Sequence, residues 1–308
     1  MTGPALRPPT LDDLSELTAF FGAVEAAYGT GGATEGEIRH WLTSPLFDPD
    51  QDFRIAVSDA DIVGWIDLWD QNRMHERLFA DVRAHPRDRA VYGRLLDWGE
   101  QRAREVVDRK AILRCGAASD NESLAGELAA RGFVVVRHFL TMEIDLDEEP
   151  PPARWPPGIA LRPFQPGDGR AVYEALNEAF ADHWDFVPVS FDEWQEYFLE
   201  SPDFDPSINF VAEEDGEIAA AALCRNERRP NAGHVAILGV RRPWRRRGLA
   251  QALLRHSFAE FRRRGRAKAD LGVDAENLTG AVRLYEKVGM RVARRFDSYE
   301  KQLPGGEG

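Results

Sequence analysis

"RRPWRRRGLAQALL", residues 241–254, sets five arginines in seven positions ahead of one glycine, in a chain of 308 residues with a formal net charge of −13. Guanidinium groups match phosphate oxygens in bidentate fashion, so the cluster reads first as a phosphate or nucleic-acid site. Upstream, "HVAILGV" (234–240) has the length and composition of a strand. Downstream, Ala250, Leu253, Leu254, Phe258 and Phe261 recur at helical spacing, which leaves Arg255, Arg262 and Arg263 away from the core. Strand, tight turn, glycine and helix bring backbone N–H groups and a helix N-terminus together on an anion. Gly248 lacks a Cβ and lets a phosphate approach the backbone; Ala250 is the next smallest choice.

The pattern around this turn is mixed α and β. Residues 167–180 are helical by their 3.6 period, 208–214 and 217–225 are strands about the turn "EDGE", and 267–275 is another strand. A helix over 278–288 follows, with Asn277 as its N-cap and Gly289 just past its end, and a last strand runs through 290–303.

The chain repeats itself once. "ALRP" stands at 5–8 and at 160–163; "SPLFDP" (44–49) is echoed by "SPDFDP" (201–206). "VRAHPRDRAVYGRLL" (82–96) lies ungapped over 240–254, and "RGFVVVRHFLTMEI" (131–144) over 288–301. Four collinear matches at nearly constant offset indicate two copies of one domain. The acidic, proline-rich stretch between them favours an extended linker at 150–157, giving domains of 1–149 and 158–308.

The hydrophobic content of 43 % is that of a folded globular protein. No charged n-region with an apolar h-region opens the chain, and no apolar run reaches the roughly 18 residues of a spanning helix, so the expectation is a cytoplasmic protein without a membrane partner. Cys115 and Cys224 are far apart and lack a CxxC, so each is expected to be a buried small residue; the seven histidines show no ligand spacing, so no metal is expected. The arginines could be a solvated face, and "EFRRRGRAKA" (260–269) could suit nucleic acid, but the acidic balance argues against that partner. On spacing alone Tyr285 is a core tyrosine and His234 structural, while "DHWDF" (182–186) fits either a helix end with aromatic packing or an acceptor pocket.

The spacing Arg245-x-x-Gly248-x-Ala250 resembles the coenzyme-A signature of the GNAT superfamily of N-acetyltransferases, Q/R-x-x-G-x-G/A. Asn277, Ala281, Tyr285, Gly289 and Met290 match that family's N-x-x-x-A-x-x-x-Y-x-x-x-G-[FM] pattern. The resemblance implies tandem GNAT domains with a mixed sheet, acetyl-CoA as co-substrate and a small-molecule amine as acceptor. It further implies that Leu238, Gly239 and Val240 bond the pantetheine arm, and that Arg245, Arg246, Arg247, Gly248, Leu249, Ala250 and Asn277 belong to the cofactor site. Arginine side chains would screen the phosphates. Tyr285 resembles the family's acid, and His234 occupies the place comparable to its base. In the first copy Gly248 corresponds to Ala90, Ala250 to Tyr92 and Tyr285 to Leu128 or Ala129, so that copy is expected to be degenerate. Tandem layout with a degenerate first copy resembles the mycothiol synthase type, which acetylates a cysteinyl pseudodisaccharide. The shared motifs leave open the acceptor, a monomer or homodimer, and a CoA-binding protein without turnover.

Overall fold

A computed structural model describes residues 3–29, 31–277 and 280–304. The chain forms two compact units, one running to His138 and resuming at Arg295, the other spanning Phe139–Arg294. The first contains β1 (Ala5–Arg7), α1 (Leu14–Tyr28), α2 (Glu35–Thr43), α3 (Pro49–Asp52), β2 (Phe53–Ser58), β3 (Asp61–Asp70), β4 (Arg77–Ala84), α4 (Tyr92–Val106), β5 (Ala111–Ala118) and α5 (Glu122–Ala130). After β6 (Val134–Asp145), the second contains β7 (Ala160–Pro163), α6 (Gly169–Phe180), α7 (Phe191–Phe198), β8 (Phe210–Glu214), β9 (Glu217–Arg229), β10 (Ala232–Val240), α8 (Leu249–Arg263), β11 (Lys268–Asp274) and α9 (Ala281–Lys287), followed by β12 (Arg291–Leu303). Among the described residues no helix is long and apolar enough to cross a membrane.

The sequence repeat has a structural counterpart in matched side-chain bonds. Arg7 donates to both carboxylate oxygens of Asp13 at 2.8 and 2.6 Å, and Arg162 does the same to Asp168 at 2.6 and 3.0 Å. Asp48 and Asp205, each followed by proline, cap the next short helix by accepting from the N–H two residues on. Both cysteines are buried, in keeping with their role as small core residues.

The linear halves nevertheless differ from the compact units at their ends. β6 crosses from the first unit at His138, and its residues 139–145 pair antiparallel with β11 of the second. β12 begins in the second unit, and its residues 296–303 pair antiparallel with β5 of the first. The strand order is β1-β2-β3-β4-β5-β12 in the first unit and β7-β8-β9-β10-β11-β6 in the second. In each, the sole parallel contact among these neighbours is the fourth along the order, β4 with β5 and β10 with β11. Since β6 and β12 are the matching last strands of the two sequence copies, each copy lends its final strand to the other. The cut at 149/158 therefore separates β11 from its outer partner.

Each sheet is covered on two faces. In the second unit α8 and α9 pack on one side through Leu249, Leu253, Leu254, Phe258, Phe261 and Tyr285, and α6 and α7 on the other through Val172, Leu176 and Trp194. The buried stripe of α8 takes in Leu249 and Ala252, whereas Ala250 is only partly buried. The last helix is shorter than its sequence span: it is capped by Gly280, at φ +76°, and not by Asn277. Asn277 instead donates its N–H to the Asp274 carbonyl at 3.1 Å, in the loop after β11; Leu278 and Thr279, the expected first turn, lie outside the described residues.

Candidate active site

The parallel pair of the second unit comes apart. β10 and β11 pair only over Ala232–Val235 and Lys268–Leu271. Beyond that point β10 stays on β9 to Val240 and β11 stays on β6 to Asp274, so the facing edges of the two strands diverge. The β10–β9 register shifts between Val235 and Ile237, which makes Ala236 the extra residue of a β-bulge. A bulge increases local twist and bends its strand, which accounts for separation at that residue. Along the freed half, from Ile237 to Val240, alternate backbone N–H and C=O groups face the split.

The split runs into the glycine turn. Gly248 caps α8 with φ +93°, a left-handed conformation that L side chains rarely adopt, and a Cβ built there would meet no heavy atom within 4 Å. The first ladder bond of α8 runs from the Ala252 N–H to the Gly248 carbonyl at 3.0 Å. The N–H groups of Leu249, Ala250 and Gln251 therefore precede the ladder and are donors for an anion. Open space beside the glycine and orphan donors in the first turn fit a phosphate at this place.

The arginine side chains do something else. Arg241 donates to Glu178 at 2.6 Å and to the Ile218 carbonyl at 3.0 Å; Arg247 grips Glu214 at 2.8 and 2.6 Å, an oxygen of which also accepts from Trp244 Nε1 at 2.7 Å. Arg242 and Arg245 share Asp182. Arg245 also donates to the carbonyls of Val240 (3.2 Å) and Ala179 (2.9 Å), tying the end of β10 to the end of α6. Arg247 and Trp244 hold the Glu214 carboxyl down at about 2, and Arg242 and Arg245 hold Asp182 there too. Four of the five arginines thus staple the turn to neighbouring elements, and only Arg246, itself at φ +64°, has no partner among the described residues. Of the arginines expected to screen phosphates, Arg246 is the one not engaged in such a staple among the described residues.

Tyr285 sits on α9 among Leu249, Val288 and Met290, 8 % exposed, and no described residue shares a hydrogen bond with its hydroxyl. Burial pushes the phenol up to about 12, so it holds its proton through the neutral range.

His234 is not delivered to the split. It stands opposite Asp270 in the closed part of the pair, six residues and about 20 Å before the end of β10. Its Nδ1 lies 2.5 Å from Asp270 Oδ1 and its Nε2 3.1 Å from Arg228, so both ring nitrogens are taken. Asp270 also accepts from Arg229 Nε at 3.0 Å, and Glu143, from the exchanged strand β6, binds Lys268 at 2.8 Å alongside. Burial lowers the His234 pKa despite Asp270, which suits a neutral ring bridging two strands. This is a structural strut, and the assignment of His234 as proton acceptor is replaced.

His183 is the histidine at the split, and no family motif marks it. Its ring lies on Phe180, centroids 4.4 Å apart. The last turn of α6 in turn covers Gly239 on the freed half of β10: a Cβ there would meet Leu176 at 2.6 Å, Ala179 at 3.2 Å and Phe180 at 3.5 Å. The signal in the sequence was the "DHWDF" run, whose aromatic packing is seen in the contacts of Phe180 with His183 and Phe186.

The first unit keeps the frame without these features. β4 and β5 pair over Arg77–Ala80 and also part afterwards, but β4 holds an unbroken register with β3 from Leu78 to Ala84. The residue before α4 is Val91 in helical conformation, so no glycine turn precedes that helix. Tyr92 is buried and accepts a hydrogen bond from Asn121, which also caps α5. The N–H of Phe133 bonds to Leu128 as that of Met290 bonds to Tyr285, so Leu128 is the structural counterpart of the tyrosine.

The model of the acetyltransferase (GNAT) family matches residues 170–290. The chain is 33 % identical over 213 residues to a mycothiol acetyltransferase of Thermomonospora curvata, covering 68 % of this chain and 69 % of that one. It is 29 % identical over 292 residues to the mycothiol acetyltransferase of Streptomyces coelicolor, covering 92 % of each. A GCN5-related N-acetyltransferase from Sphaerobacter thermophilus superposes with a TM-score of 0.78 at 32 % identity, over 98 % of this chain and 96 % of that one. A tandem GNAT protein from the clavulanic acid biosynthesis pathway, 16 % identical, shares the fold at a TM-score of 0.72 over 97 % and 98 %.

Proposed function

The chain belongs to the GNAT acetyltransferase family, and from that premise we propose that its second unit transfers the acetyl group of acetyl-CoA to a primary amine of a small-molecule acceptor. The observation that carries the reading is the parting of β10 from β11 at the bulged Ala236, running directly into the open glycine turn. The backbone of Leu238, Gly239 and Val240 would hold the pantetheine arm, and the N–H groups of residues 246–250 the pyrophosphate. Bound there, the co-substrate supplies an activated thioester carbonyl. The Val240 N–H is the candidate donor to the developing oxyanion, and Tyr285, with its proton secured by burial, the candidate donor to the departing thiolate.

The narrower reading, acetylation of a cysteinyl pseudodisaccharide amine, is favoured by the mycothiol acetyltransferases that match over most of their length. Mixing the protein with acetyl-CoA and amines of different classes, a cysteinyl pseudodisaccharide among them, and following free thiol tests both levels. Thiol release from simple amines but not from the cysteinyl compound removes the narrower reading; binding of acetyl-CoA without release from any amine removes the broader one.

A further inference from the structure

His183 lies in the loop after α6, on the β10 side of the parted strands, and Asp274 ends β11 on the other side. The histidine is fastened to the β10 side through Phe180, which lies over Gly239, and through Arg245, which donates to the carbonyl of Ala179 and to Asp182 at 2.9 Å each. Asp274 is the last residue of β11, and its Oδ1 accepts from the Glu276 N–H at 2.9 Å; Arg245 belongs to the glycine turn and Asp182 to the histidine's own loop. The ring is half-buried, and among the described residues neither of its nitrogens has a hydrogen-bond partner. His234, by contrast, has both nitrogens bonded within the sheet.

We propose that His183 takes the proton from the acceptor's ammonium group, the carboxylate of Asp274 standing at the end of β11 across the split. This rests on the proposed N-acetyl transfer. The ammonium gives one proton to the neutral imidazole; the freed lone pair forms the C–N bond at the acetyl carbon; the C–S bond breaks, and the thiolate leaves with the Tyr285 proton. The second proton lost by nitrogen restores the phenol through solvent, and the imidazolium passes its own to water, so one proton is released per turnover. Burial lowers the His183 pKa from its ordinary value, Asp274 raising it, Arg245 lowering it and Asp182 raising it by lesser amounts. A base that is neutral at pH 7 suits removal of an ammonium proton.

The test uses the full chain, acetyl-CoA, and three thiol-free primary amines as probes: S-methyl-L-cysteine amide, glucosamine and propylamine. His183→Gln is expected to lower kcat/KM for the accepted amine by about 10²- to 10⁴-fold and to abolish the acidic limb of the pH–rate profile, with calorimetric affinity for acetyl-CoA unchanged. A His183→Gln protein with wild-type rate and an intact acidic limb overturns the role while leaving N-acetyl transfer standing. A wild-type protein that releases no thiol with any probe overturns the transfer reading and this role with it. A second readout is independent of turnover: the imidazole proton resonance lost in His183→Gln should titrate below pH 6.5 in the wild type and lower still in Asp274→Asn, since the removed carboxylate raises that pKa. A midpoint at or above 6.5, or one indifferent to Asp274→Asn, overturns the pairing.

Discussion

The Tyr92 hydroxyl accepts a hydrogen bond from Asn121 Nδ2 at 2.8 Å, with both side chains buried in the first unit. The corresponding pair in the second unit is Ala250 and Asn277, which border the glycine turn and the loop after β11. One copy has thus turned into core the position that the other leaves beside the glycine turn. Calorimetry on the whole chain should therefore find one CoA site, and Gly248→Tyr should remove it, because the ring would occupy the open space and strain a backbone at φ +93°. Tyr92→Phe should cost about 1–3 kcal/mol by stranding the Asn121 donor and leave CoA binding untouched. Two bound CoA molecules per chain would contradict this.

Tyr285→Phe deletes one oxygen and keeps the buried ring. A phenol that protonates only the leaving thiolate contributes to the transition state, so kcat should fall roughly 10²- to 10⁴-fold with KM for acetyl-CoA nearly constant. With the phenol pushed up to about 12, it stays protonated over the working range and should add no basic limb below that value. A wild-type kcat in Tyr285→Phe, with chemistry rate-limiting, would return the residue to the core.

The exchanged strands predict how the chain can be cut. A fragment of residues 139–294 contains every strand of the second unit and should be a soluble monomer that binds CoA, whereas 158–308 lacks β6 and leaves the β11 edge bare. Circular dichroism and size-exclusion chromatography decide the matter; a well-folded monomer from 158–308 would speak against the dependence on β6.

Arg245 and Arg246 should behave differently despite adjacency. Arg245 forks onto two carbonyls and Asp182, a geometry an ammonium cannot reproduce, so Arg245→Lys should loosen the turn and weaken CoA binding by about tenfold or more. Arg246→Ala should instead reduce the salt dependence of binding, since that cation is not already paired. Equal salt slopes in wild type and Arg246→Ala would refute the distinction.

Asp67 on β3 stands directly opposite Asp81 on β4 and accepts from Trp65 Nε1 at 2.7 Å. Burial, and then the facing Asp81, raise its pKa. A folded-state value above the unfolded one, about 3.9, means the folded chain binds the extra proton, so stability is greatest below that value and falls as pH rises through the folded pKa. Asp67→Asn keeps an acceptor for Trp65 and should raise Tm on the alkaline side while flattening this pH dependence. Unchanged Tm at pH 8 would show that the carboxylate is accommodated at no cost.

The sequence by itself determined the repeat, the order of elements, the glycine turn and the degeneracy of the first copy, because each is written in local spacing: helical period, turn residues, and the replacement of Gly248 and Ala250 by Ala90 and Tyr92. Only the tertiary structure decided which side chains meet. The carboxylates that neutralise the arginine turn, Glu178, Asp182 and Glu214, lie 33 to 63 positions upstream of the arginines they bind, on other elements, so a cluster that reads as free positive charge becomes a set of staples. Which unit a final strand joins depends on the edge it finds, and β6 and β12 carry the same pattern toward either edge. Likewise His234 falls at the place comparable to a base, but only the register opposite Asp270 shows its ring to be saturated, and only the packing of α6 on Gly239 brings His183 to the split.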